Sequence, residues 1–161
     1  MIGHYQTSIP LDNYILMSFI AAVSVLVPDY DEAIHYYTSV LGFELIEDAP
    51  VGSSGKRFVR VRPRAAHKPS TENPEVPNSG CSLLLAKAKN ADEVAHIGNQ
   101  TGGRVFLFLH TPDFDSEFLR LKSAGVDFTE SPRNEEYGRV VVFRDLYGNL
   151  WDLVEPLTNA S

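Results

Sequence analysis

Apolar residues fall in two kinds of run along this chain, and the two alternate. Residues 18–27 (Ser-Phe-Ile-Ala-Ala-Val-Ser-Val-Leu-Val) are almost continuously apolar and stop at Pro28, the pattern of a buried strand. The spacing then changes. Ala33, Ile34, Tyr37, Val40 and Leu41 recur at helical intervals and predict an amphipathic helix. Asp29 is placed to cap it, Glu32 three residues later completes a capping box, and Gly42 ends it in the left-handed conformation. Short apolar runs near 43–48, 57–62 and 81–86 predict three more strands. Between Arg64 and Ser79, Pro69, Pro74 and Pro77 break a stretch almost free of large apolar residues, which reads as a loop. Residues 88–102 read as a partly helical connector ending at Gly102-Gly103.

The same order then returns. A strand is predicted at 104–110, a helix at 113–124 with Phe114, Phe118 and Leu121 on one face, a stop at Gly125, and strands near 126–130, 139–144 and 149–155. Local sequence repeats with it. Pro28-Asp29-Tyr30-Asp31 matches Pro112-Asp113-Phe114-Asp115, and Arg57-Phe58-Val59-Arg60-Val61 matches Arg139-Val140-Val141-Val142-Phe143. The fold expected is α+β: two βαβββ modules in tandem, helices covering one face of each sheet, the uncovered faces forming a cupped sheet around a central cavity. The boundaries that follow are an N-terminal extension 1–17, a first module 18–87, a connector 88–103, a second module 104–156 and a tail 157–161.

Composition narrows the partners. The 161 residues carry 14 Lys+Arg against 21 Asp+Glu, a net charge of −7, which argues against nucleic acid or an anionic membrane as partner. No apolar run reaches the roughly 18 residues of a membrane span, and Asp12 interrupts the N-terminal apolar stretch that a secretory signal would need. One cysteine, Cys81, excludes an internal disulfide and fits a reducing cytoplasm; lying in an apolar run, it reads as a buried, inert thiol. There is no P-loop, GxGxxG, GxSxG or CxxC pattern.

Val27-Pro28-Asp29-Tyr30-Asp31-Glu32-Ala33, Tyr36-Tyr37, Leu41-Gly42-Phe43 and the long segment from Tyr137-Gly138-Arg139 through Arg144-Asp145-Leu146-Tyr147-Gly148-Asn149-Leu150-Trp151-Asp152-Leu153 resemble the vicinal oxygen chelate superfamily. That superfamily includes glyoxalase I, bleomycin-resistance proteins and extradiol dioxygenases, and the resemblance covers about residues 18–156. It implies a small molecule bound in the cleft and a homodimer. In the metal-dependent members, four cavity-facing strand positions carry His, Gln or Glu. By resemblance those positions here read Ala22, Ser82, Phe106 and Asp152. Ala and Phe offer no donor and Ser is a poor neutral ligand, whereas such sites need three or four donors at about 2 Å. No metal or other cofactor is therefore expected.

The remaining candidates carry more than one reading. Asp152 in a cleft is a general acid or base, or an acceptor for a ligand; a purely structural, Arg-paired acid is the alternative. His110 shares a strand face with Phe106 and Phe108 and is either a proton shuttle at the cavity mouth or a structural histidine at a strand end. Arg57 and Arg139 occupy matching places; pointing inward they would clamp an anion, pointing outward they are solvated strand charges. Tyr137 either presents its hydroxyl at the rim or covers the edge of the core.

Two functional expectations follow. The first is a protein that binds a small, largely apolar molecule through Ala22, Ser82, Phe106, Phe108, Tyr137, Arg139 and Asp152 without chemistry. The second is a glyoxalase- or dioxygenase-type enzyme using a displaced divalent metal or acid–base chemistry by Asp152 and His110. An association module working through the 64–79 loop and the N-terminal arm ranks behind both.

Overall fold

The computed structural model describes residues 20–64 and 81–157; the expected extension 1–17, nearly all of the 64–79 loop and most of the tail lie outside them. The chain opens with strand β1 (Ala22–Val27), helix α1 (Tyr30–His35) and a π-helical turn at Tyr36–Val40. Strands β2 (Glu44–Val51), β3 (Lys56–Arg62) and β4 (Ser82–Lys87) complete a sheet ordered β1-β4-β3-β2, with β1 parallel to β4. A short helix α2 (Ala91–Ala95) lies in the connector. Then come β5 (Val105–His110), α3 (Phe114–Ser123), β6 (Asp127–Phe128), β7 (Arg133–Glu135), β8 (Gly138–Arg144) and β9 (Leu150–Pro156). They form a second sheet ordered β5-β9-β8-β6, with β7 added to β8 and β5 parallel to β9. This is the α+β, tandem βαβββ architecture. Strand β7 is an addition to the expected set.

Local chemistry starts both main helices alike. The Asp29 carboxylate accepts from the amides of Asp31 and Glu32 at 2.9 and 3.2 Å, and Asp113 accepts from the amide and hydroxyl of Ser116. The expected capping box is only half formed. Glu32 accepts instead from the Tyr147 hydroxyl, 3.3 Å away in the second half of the chain. Gly42 and Gly125 end the helical segments with φ of +76° and +84°, a region that costs any residue with a Cβ. Hydrogen bonds from the Glu32 and Asp31 amides and from Lys87 hold the Asp29 carboxyl below its ordinary range. Its contribution is thus complete above the ordinary value of 3.8 and is lost as pH falls through the lower folded value. Asp29→Ala should lower the urea midpoint at pH 7 by a small, measurable step that shrinks in acid; an undiminished difference at low pH would show that the carboxylate is not the cap.

The repeat is physical as well as textual. Arg57 lies over the Tyr30 ring, 5.3 Å from its centre, and pairs with Asp31 at 2.6 Å. Arg139 lies over the Phe114 ring at 4.5 Å and pairs with Asp115 at 2.9 Å. Each strand arginine stacks on the first residue of its helix and pairs with the second, fastening helix to sheet on the helical side.

The two halves share one core on that side. Tyr37 and Phe43 from the first half pack on Trp151 of β9, with ring centres 6.4 and 6.1 Å apart, and Trp151 stacks on Phe143 of β8 at 5.8 Å. Arg120 of α3 reaches across to donate to the carbonyls of Val40 and Leu41, which the end of the first helical segment leaves without an intrahelical partner. Beneath Trp151 sits Asp145, 5% exposed. One of its oxygens accepts from the amides of Tyr147, Gly148 and Asn149 at 3.0 Å; the other accepts from the Tyr37 hydroxyl, the Asn149 side chain and the Trp151 indole. Burial beside this carboxylate pushes the Tyr37 hydroxyl well above its ordinary range, so it stays a donor.

Candidate functional site

Strand β9 sorts its side chains by alternation. Trp151 and Leu153 enter the shared core, and Asp152 points to the opposite face of the sheet. There the ladder sets Asp152 between Phe108 of β5 and Val142 of β8. This row forms the floor of an open cavity of about 570 Å³, flanked along the strands by Leu150, Val105, Arg104 and Arg144. Gly103 and Thr129 complete its lining. Among the described residues, every one that lines it belongs to the second half of the chain.

Two side chains on this floor are out of keeping with a solvated sheet surface. Phe108 is 64% exposed, a large aromatic surface held to water. Asp152 is only 5% exposed, and its Oδ1 has no hydrogen-bond partner among the described residues. Burial raises its carboxyl above the ordinary 3.8, while the charge of Arg133 pulls it partly back. Arg133 acts on Asp152 through its charge alone: its Nε donates to Glu135 at 2.8 Å, it also lies against Glu130, and its Nη1 makes no hydrogen bond among the described residues. Arg144 pairs with Asp127 at 3.1 Å.

The other expected site residues are dispersed. Ala22 and Ser82 are ladder partners in the first sheet, where the Ser82 hydroxyl donates to the Ala21 carbonyl at 2.7 Å, and neither lines the cavity. Phe106 is turned by a bulge. Val105 opposes Leu150 and Leu107 opposes Trp151, so Phe106 is the extra residue and packs against the core instead of the cavity. His110 lies two rungs beyond the Asp152 row and lines a different cavity of about 500 Å³, with Leu41, Phe43, Arg64 and Arg120; it is not brought to Asp152. Arg139, for which both orientations were open, lies on the helical side with Phe114 and Asp115 and is not among the residues lining this cavity. Tyr137 is half exposed on the approach to β8 and outside the cavity lining. Cys81, expected to be buried, is exposed at the start of β4.

Arg104, Val105, Thr129, Val142, Arg144 and Leu150 were not singled out from sequence. Val142 and Leu150 had a signal, since they alternate onto the Asp152 face. Arg133 had none, because the Arg-Asn-Glu of β7 shows no apolar alternation.

The residues do not fit a divalent metal at the place the resemblance suggests. Ala22 has no donor, the Ser82 hydroxyl is committed to a carbonyl, Phe106 faces the core, and Asp152 alone is a carboxylate. Among the described residues no group of three His, Cys, Asp or Glu side chains is placed to hold an ion.

Comparison with known proteins places this geometry. The sequence profile of the Glyoxalase/Bleomycin resistance protein/Dioxygenase superfamily matches residues 19–153. An uncharacterised protein of Shewanella frigidimarina is 44% identical over 136 residues, 84% of this chain and 92% of that one. The crystal structure of TnmS3, an antibiotic binding protein from Streptomyces sp. CB03234, superposes with a TM-score of 0.63 at 27% identity, over 89% of this chain and 99% of that one. FosX, a fosfomycin resistance protein from Listeria monocytogenes, shares the fold, with a TM-score of 0.58 at 13% identity over 87% of this chain and 94% of that one. No described helix is long and apolar enough to cross a membrane.

Proposed function

The chain belongs to the glyoxalase/bleomycin resistance protein/dioxygenase superfamily, and from that premise we propose that it binds a small, largely apolar organic molecule on the open face of its second sheet, with no metal at the usual place. The observation that carries the reading is the Phe108–Asp152–Val142 row: an exposed aromatic beside a buried carboxylate with an idle oxygen, on a floor that is otherwise aliphatic. A concave, partly apolar surface with a few convergent polar groups, here Asp152 with Arg104 and Arg144 farther along the strands, is what a small-molecule site requires. The similarity to an antibiotic binding protein supports a binding role over a catalytic one.

The cavity is open, and the described residues that line it all belong to the second half of the chain. We therefore extend the proposal to a homodimer in which a second copy supplies the facing wall of this cavity and encloses a ligand against Phe108. Sedimentation velocity should give twice the chain mass, and Phe108→Ser should weaken both the dimer and the binding of aromatic probes by about tenfold or more. A monomer at micromolar concentration with an unchanged Phe108→Ser variant would remove this part of the reading.

The test of the whole is calorimetric titration with Zn, Ni, Mn and Fe(II), beside elemental analysis of protein purified without chelator. The expected result is no heat of specific binding and less than about a tenth of an equivalent of any metal. One tight equivalent that disappears in Asp152→Ala would overturn the metal-free reading in favour of an enzyme using a divalent ion.

A further inference from the structure

The cavity floor has a polarity along the strands as well as across them. Leu150 lies two positions before Asp152 on β9, about 7 Å along the strand. The Leu150 rung joins Arg144 on one side and Val105 on the other, and Arg104 precedes Val105. One end of the cavity therefore carries two guanidiniums, of which Asp127 balances the one on Arg144. The other end carries the unpartnered Asp152 oxygen, with Phe108 beside it.

Each part selects a different chemical group. The exposed Phe108 ring offers a stacking surface to a flat, apolar ring system. The Asp152 oxygen is a buried acceptor lacking a donor, and a ligand hydroxyl placed there restores the missing hydrogen bond. A cationic donor would suit Asp152 equally well but would have to lie within a strand's reach of Arg104 and Arg144, with Arg133 also exerting its charge on Asp152. An anionic group at the far end turns the same arginines into partners. We propose that this face recognises a hydroxylated aromatic carboxylate, its ring on Phe108, its hydroxyl on Asp152 and its carboxylate between Arg104 and Arg144. This deepens the small-molecule reading of the same site and rests on it.

Three naphthalene probes separate the parts: 6-hydroxy-2-naphthoate, 2-naphthoate without the hydroxyl, and 2-naphthol without the carboxylate. Each is followed by its own fluorescence anisotropy against the full-length protein. The hydroxynaphthoate should bind about tenfold tighter than either of the others. Asp152→Leu should erase its advantage over 2-naphthoate; Asp152→Asn, which keeps an acceptor, should preserve part of it. Arg104→Gln and Arg144→Gln should each reduce its advantage over 2-naphthol, and added salt should weaken the two acids and leave the naphthol unchanged. If 2-naphthol binds as well as the hydroxynaphthoate, and both are lost in Phe108→Ser, the ligand class proposed here is wrong and the apolar site stands. If the hydroxynaphthoate binds but ignores the Asp152 and arginine variants, the assignment of its two ends is wrong. If no probe binds in a manner sensitive to Phe108→Ser, the site itself is misplaced and both readings fall.

Discussion

Asp145→Asn should remove a large share of the stability of this chain: about 3–5 kcal/mol, against a total that is typically 5–15 kcal/mol for a domain. The expectation follows from counting donors. Three backbone amides converge on one carboxylate oxygen and three side-chain donors on the other. An amide nitrogen in place of either oxygen sets a donor against three donors, so neither orientation of Asn restores the arrangement. Asp145→Ala leaves all six without an acceptor. The carboxylate also joins the halves, since Tyr37 follows α1 and Trp151 lies in β9, and both rings belong to the shared core. Thermal unfolding should fall by about 10 °C and lose cooperativity between the halves. Tyr37→Phe is the control: it removes one donor of six, keeps the ring, and should cost only about 1 kcal/mol. Comparable losses for Tyr37→Phe and Asp145→Asn would mean that the hydroxyl carries the effect and the carboxylate does not organise the turn.

Asp145 also shows where the sequence was mute. It sits in the segment Arg144-Asp145-Leu146-Tyr147-Gly148-Asn149, which carried the family resemblance without pointing to a role for any one residue. The repeat, in contrast, was legible in detail, because pairs such as Tyr30 and Phe114, Asp31 and Asp115, Arg57 and Arg139 do the same mechanical work in each half. Strand alternation set Asp152 on the face of β9 opposite Trp151 and set Phe108 on a face with His110, as the ladder has them. It failed at Phe106, because one extra residue in β5 inverts the phase and nothing in Val-Phe-Leu-Phe-Leu marks a bulge. It could not orient Arg139, whose partners lie on a helix many residues earlier. The half-formed capping box has a similar cause: Glu32 found a tertiary partner in Tyr147, and a local motif cannot anticipate that competition. The errors cluster where a contact between the halves, or one inserted residue, overrides local pattern.

Asp152→Val should act in opposite directions on stability and on function. The carboxyl is buried on an aliphatic floor, with Val142 and Leu150 as neighbours and one oxygen lacking a partner. Removing it relieves an unmet polar group and places a β-branched side chain in a central strand. The expected gain is about 1–2 kcal/mol at pH 7, while the preference for a hydroxylated ligand disappears. The pH dependence carries the diagnosis. Burial raises the folded carboxyl above the ordinary 3.8, so between that value and the raised one the folded state holds the proton that the unfolded state releases. Wild-type stability from this group is therefore retained in acid and lost as pH rises through the window; the valine variant has no such loss. The variant's advantage should be small near pH 4, widen as pH rises through the folded value, and then level off. Urea unfolding of both proteins at several pH values checks it. A gap that is constant with pH would mean that the gain comes from packing alone, and a variant less stable than wild type at pH 7 would mean that Asp152 is satisfied in solution. In either case the idle oxygen would no longer be available to select a ligand. The widening gap, by contrast, is what a side chain retained for recognition at the expense of folding should produce.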